Sequence, residues 1–258
     1  MNKAAVLQAL LFLLTVLPSA LSIGESSPSV REPVVVLHGL ARSTMSMSKM
    51  VESLEEAGYE VCNVAYPSRE YTIEVLSVDF VAPAIAHCFP ERKQPLHFVT
   101  HSLGGIIVRQ LAASGAISNV GRVVMLSPPN QGSEIVDKLG GWWLFKIING
   151  PAGEELGTGE EALPRRLGPA PFELGIITGN RSINPILSTL IPGVDDGKVS
   201  LTNAKLSSMK DFLVVPSSHP FIMKNADAIK QTIYFLKHGT FLHATPLQQV
   251  SVDSVARR

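Results

Sequence analysis

The chain has 258 residues, and its 22 lysines and arginines balance 22 aspartates and glutamates. That neutrality, with no basic stripe along the sequence, excludes a general electrostatic field for nucleic acid or an anionic membrane. With 45% hydrophobic residues, the chain can build one large domain with a proper core, and no second domain is needed.

Met1-Asn2-Lys3, the apolar run Ala4 to Leu17 and the small or turn-forming residues Pro18 to Ser22 read as a secretory signal peptide, residues 1–22, cleaved after Ser22. The apolar run is short for a bilayer span and no stop-transfer pattern follows it, which argues against an anchor helix. A Ser/Pro-rich linker, residues 23–33, comes next. Cys62 and Cys88, the only two cysteines, both fall in the part that would be exported. They are either a disulfide or two small buried side chains, and no histidine is spaced to make a metal site with them.

Val34-Val35-Val36-Leu37 is a continuous apolar run of the kind found in a strand buried on both faces, and it ends in His38-Gly39-Leu40. Ser43 to Ala57 reads as a helix with Met47, Met50, Val51 and Leu54 on one face. Met45, Met47 and Met50 either border an acyl site or fill the core. Tyr59 to Ala65 is a predicted strand, and Ile73 to Phe89 a predicted helix that Pro83 should bend.

Leu96 to Val99 is another buried strand, followed by Thr100-His101-Ser102-Leu103-Gly104-Gly105 and a helix from Ile106 to Ala113. A serine at such a strand-to-helix turn stands clear of the sheet edge, beside the first free N–H groups of the helix, where negative charge is stabilised. Of the two glycines in the G-x-S-x-G elbow, Gly104 is present and Thr100 replaces the other, so the same residues also read as a plain helix N-cap. Val123 to Leu126 follows as a strand, closed by Ser127-Pro128-Pro129-Asn130.

Strand and helix alternate throughout this half, so the predicted fold class is α/β, with a mostly parallel central sheet and helices on both faces. Ligands gather at the carboxyl ends of such strands, where His38, Ser102 and Asn130 all lie. Residues 131–172 break the pattern with many glycines and an apolar stretch containing Trp142 and Trp143. They read as a small cap insertion whose tryptophans wall a substrate site, or as a surface helix packed onto the domain.

Glu173 to Thr178 is the next strand, followed by the loop Pro192 to Gly197. Phe212 to Val215 is the last, followed by Ser217-Ser218-His219-Pro220. A closing helix from Phe221 to Lys237 has Phe221, Ile222, Ala226, Ile229, Ile233 and Leu236 available for its buried side. The domain thus spans 34–238, and residues 239–258 read as a mobile tail.

A serine nucleophile needs a base within hydrogen-bond reach and an acid that fixes the base's tautomer. Ser102, then Asp196, then His219 supply these types in that order, each in a loop after a predicted strand. Asp195 is adjacent to Asp196 and only one of the two can face inward; Gly197 favours Asp196. His101 and His38 are placed to shape the turn or line the cleft, and His38-Gly39-Leu40 suggests a loop that donates a backbone N–H to an oxyanion.

The segments VVVLHGL, THSLGG, PPNQGSE, VDDGKVS and VPSSHPFIM together resemble the α/β-hydrolase superfamily, specifically its small bacterial lipase/esterase-like members. The resemblance runs from about Val34 to Phe235. It implies the α/β-hydrolase fold, Ser102 as nucleophile, Asp196 as acid, His219 as base, and the backbone N–H groups of Leu40 and Leu103 as the oxyanion hole. The implied function is hydrolysis of a small-molecule or lipid carboxylic ester, with His38, His101, Trp142 and Trp143 around the substrate. The resemblance implies no cofactor, metal or nucleic acid and at most transient contact with a lipid surface, and together with the N-terminal pattern it implies export to a bacterial periplasm or medium. An acyltransferase with the same triad, a thioester or amide substrate, and a non-catalytic binding protein on the same fold stay open.

Overall fold

The structure, a computed structural model, describes residues 31–141 and 143–243, without the side chains of 143–148. The expected signal peptide, most of the linker, Trp142, the Trp143 side chain and residues 244–258 lie outside that description.

Six strands form one all-parallel sheet: β1 (Pro33–Leu37), β2 (Glu60–Val64), β3 (Leu96–His101), β4 (Val120–Leu126), β5 (Glu173–Gly179) and β6 (Asp211–Val215), in the order β2-β1-β3-β4-β5-β6. The alternation of side chains along each strand sorts the apolar runs into two cores. Val34, Val36, Val99, Val124 and Ile177 point to one face, where α1 (Ser48–Glu56) and a late helix pack. Val35, Leu37, Phe98, Val123 and Ile176 point to the other. That second face is covered by a helical segment made of α2 (Ile73–Val75), a π-helical stretch (Leu76–Val81) and α3 (Ala82–Cys88), and then by α4 (Leu103–Ala113). Both faces are dry, which is why the strands read as unbroken apolar runs.

The long helix expected over 73–89 is continuous but contains a π stretch just ahead of Pro83, in which the Ala82 N–H bonds back to Ser77 O. Proline lacks the N–H that an α turn would use at 83, and the wider turn absorbs that gap. Met47 and Met50 are core residues, whereas Met45 is exposed. Cys62 and Cys88 are bridged, with α-carbons 6.1 Å apart, tying β2 to the end of α3.

The cap region, among the described residues, carries the helical segments α5 (Glu134–Leu139), α6 (Trp143–Glu154), which is broken by a kink at Gly150, and α7 (Leu163–Arg166). After β5 come α8 (Pro185–Ser188) and α9 (Leu201–Ala204), and the chain closes with α10 (Ala226–His238) against the first core. Two side chains expected on the buried side of that helix, Phe221 and Ala226, are exposed instead, because a 3-10 turn (Ile222–Lys224) precedes α10 and rotates them outward.

The expected mobile tail starts docked. Phe241 is buried against Phe235, its N–H donates to Asp211 Oδ2, and His243 Nε2 lies 2.8 Å from Asp211 Oδ1. Among the described residues, no helix is long and apolar enough to cross a membrane.

Candidate active site

From β1 the chain turns to β2 on one side, then crosses back to β3 on the other. The loops after β1 and β3 therefore diverge, leaving a crevice at their carboxyl ends. Leu40 follows β1 there, and Ser102 follows β3.

Ser102 has φ 52° and ψ −118°, a conformation an L-residue adopts only when its surroundings impose it. The imposition comes from close packing. A β-carbon on Gly104 would lie 2.8 Å from Leu37 O, and one on Gly39 would lie 2.7 Å from His101 Nδ1, so both positions require glycine. Thr100 is different. It sits within β3, paired with Leu37 on one side and Met125 on the other, and its extended backbone needs no glycine.

His219 Nε2 is 3.0 Å from Ser102 Oγ, and its Nδ1 is 2.9 Å from Asp196 Oδ2. Asp196 is fully buried at the end of its loop, and its Oδ1 accepts the N–H groups of Lys198 and Val199 at 3.1 and 2.9 Å. Burial alone would push its pKa up. The charge and hydrogen bond of His219, with the N–H donors, outweigh that effect and hold the carboxyl below its ordinary range. An ionised carboxylate must accept at both oxygens, so it fixes the His219 proton on Nδ1 and leaves Nε2 free to accept from Ser102. The His219 N–H also donates to Asp196 O, which locks the two loops together.

Ser102 and His219 open onto a cavity of about 260 Å³. Its walls include Leu40 and Pro129 from the sheet side, Ile135, Val136, Leu139 and Leu156 from the cap, and Leu187 and Val199 from the loops after β5. Residues 131–172 therefore supply much of the apolar wall. Leu103 is the first residue of α4, where an N–H has no partner within the helix, and Leu40 borders the same space. This arrangement can deprotonate a serine hydroxyl, hold an oxyanion and accommodate an apolar chain.

Residues 33–157 match a family model described as palmitoyl protein thioesterase. Among solved structures, the mature lipase BlEst2 of Bacillus licheniformis superposes with a TM-score of 0.64 at 21% identity, over 82% of this chain and 94% of that one. A metagenomic carboxyl esterase superposes with a TM-score of 0.55 at 19% identity, over 78% and 69%. Phospholipase PlaB from Legionella pneumophila gives 0.52 at 18%, over 67% of this chain and 45% of that one. The chain has the α/β-hydrolase fold. No curated protein matches it in sequence.

The other candidate positions divide. Asp195 turns away from His219, and its Oδ1 accepts from the Ser188 hydroxyl and the Gly197 N–H. His101 lines the cavity but is buried, and its Nε2–H donates to His219 O at 3.0 Å. Burial, and then the His219 charge, hold its pKa well below the ordinary value, so it is neutral. His38 does not line the cavity. It stacks on Tyr66 with ring centroids 4.1 Å apart, and the Tyr66 hydroxyl donates to its carbonyl.

Asn130 is also withdrawn from the cavity, because it binds Ala204 O and the buried Arg109. Arg42 and Lys198, which the sequence reading passed over, do line the cavity. Each stands two residues beyond a candidate position, Leu40 and Asp196, and that spacing was the one available signal.

Proposed function

We propose that the protein is a serine hydrolase that cleaves carboxylic esters with an apolar acyl part. The observation that carries this reading is the line Asp196, His219, Ser102, joined at 2.9 and 3.0 Å and opening onto an apolar cavity. Ser102 Oγ attacks the acyl carbonyl while His219 Nε2 takes its proton. The N–H groups of Leu40 and Leu103 hold the oxyanion. Collapse breaks the carbon–oxygen bond to the leaving group, which leaves with the proton from His219, and water then releases the acid by the same steps in reverse roles. The match to a thioesterase family model supports extending the substrates to thioesters, whose carbonyl meets the same groups.

The reading includes export, supported by the N-terminal pattern and by the Cys62–Cys88 bridge, which persists in an oxidising compartment. Labelling the purified protein with a fluorophosphonate, read by peptide mass, tests the mechanism. The expected result is one adduct on Ser102, absent in Ser102→Ala. Unlabelled, folded protein that also leaves short-chain esters intact would instead favour a binding protein on the hydrolase fold.

A further inference from the structure

Beside the apolar cavity lies a second, more polar groove of about 730 Å³, lined by Arg42, Arg69, Lys224, Ser68, Glu70 and Phe221 among others. Arg42 belongs to both spaces, so the groove begins where the reaction centre ends. At that junction Lys198 lines the apolar cavity as well. Four cations thus line the two spaces, Arg42 in both, Lys198 in the cavity with Ser102, and Arg69 and Lys224 in the groove, where Glu70 is the single carboxylate. None of the four forms an ion pair in the described structure.

In a chain with no net charge, these like charges oppose one another; the Asp196 carboxylate offsets Lys198 in part, and an anion bound in the groove would offset the rest. The surrounding walls and then the Arg42 charge hold the Lys198 ammonium below its ordinary value. Arg42 and Lys198 both line the cavity onto which Ser102 opens, together with His101. The two spaces differ in kind: the cavity at Ser102 is mainly apolar, and the groove that adjoins it at Arg42 is charged.

Resting on the serine-hydrolase reading, we propose that this groove binds a phosphate group on the leaving part of the substrate, with Arg42 as the specificity-determining contact. Guanidinium suits phosphate oxygens because its planar donors meet two of them at once. The phosphate comes either from a lipid headgroup or from a soluble carrier, and the chemistry is shared.

The test compares kcat/KM of the full exported chain on monomeric 1-octanoylglycerol and 1-octanoylglycerol 3-phosphate, by release of octanoate. A charge-assisted contact predicts at least about a tenfold preference for the phosphate ester, eroded by salt, and about a tenfold fall in that preference in Arg42→Met. S-Octanoyl phosphopantetheine is the third substrate; preference for it over the glycerophosphate ester assigns a soluble carrier, and the reverse assigns a headgroup. Equal rates on the neutral and phosphate esters, or an unchanged preference in Arg42→Met, would overturn the phosphate site while leaving the hydrolase intact. Loss of hydrolysis on every substrate, with no fluorophosphonate adduct, would instead overturn the reading beneath it.

Discussion

Ser102 and Asp196 show how one residue's chemistry depends on neighbours that carry none. Ser102 keeps its positive φ because Gly39 and Gly104 let β1, β3 and α4 approach to contact. Gly39→Ala would drive a methyl against His101 and Ser102; we expect turnover to fall at least about tenfold with the fold retained, checked by ester hydrolysis and circular dichroism. Asp196→Asn should keep the loop's shape but favour the wrong His219 tautomer, with turnover down roughly 10⁴-fold, as for the equivalent change in the serine-protease triad. The same carboxyl has a pH signature. Its native pKa is depressed from an unfolded value of about 3.9, so its contribution to stability is complete above that value and lost as pH falls through the lower native one. Melting curves of both proteins from about pH 6 downward should therefore converge in acid; a constant separation would contradict the assignment. The order of Ser102, Asp196 and His219 was legible in the sequence because each follows a strand, and strand ends are where the fold exposes side chains. Beyond the resemblance, the choice between Asp195 and Asp196 rested on Gly197, since what separates them is which N–H groups each captures. His38 was misplaced at the cleft for a similar reason: its stacking partner, Tyr66, comes from a different strand's end.

At the scale of elements, strands were the easiest to read and helix termini the hardest. A strand buried on both faces leaves a run such as Val34 to Leu37 that no other element of that length explains. Helix ends instead depend on tertiary partners, as the rotated Phe221 shows. The cap illustrates the limit most sharply. Arg109, which reads as an ordinary helical arginine, is buried in α4 and gives its guanidinium to Asn130 O and Oδ1, Pro164 O and Gly168 O. No carboxylate faces it among these partners, and burial lowers its pKa to about 10. It therefore joins the cap's far end to the helix that carries Ser102. Arg109→Met would leave these carbonyls without their donor, at a cost of roughly 3 kcal/mol. Hydrogen exchange should speed up in residues 163–168 before it does in the sheet, and thermal denaturation should give the loss. Protection unchanged at 163–168 would mean the cap is held by its apolar contacts alone.

Across the whole molecule, chemistry and reinforcement occupy opposite ends of the sheet. The carboxyl ends carry Ser102, the cavity and the cap. Toward the amino ends, Cys88 borders a small cleft with Pro33 and Glu60, and its bridge to Cys62 pins α3 to the edge strand β2. An edge strand pairs on one side only, and β2 is further limited to five residues. The bridge closes a loop with a sequence separation of 26, which by chain entropy stabilises the fold by about 3.5 kcal/mol. The double variant Cys62→Ala/Cys88→Ala should lose about that much stability, while ester turnover well below its melting temperature stays close to that of the bridged protein. The two readouts separate because no cavity-lining residue lies on β2 or α3. If turnover fell together with stability, the edge of the sheet would be coupled to the crevice between β1 and β3, and the division of labour between the two ends would have to be abandoned.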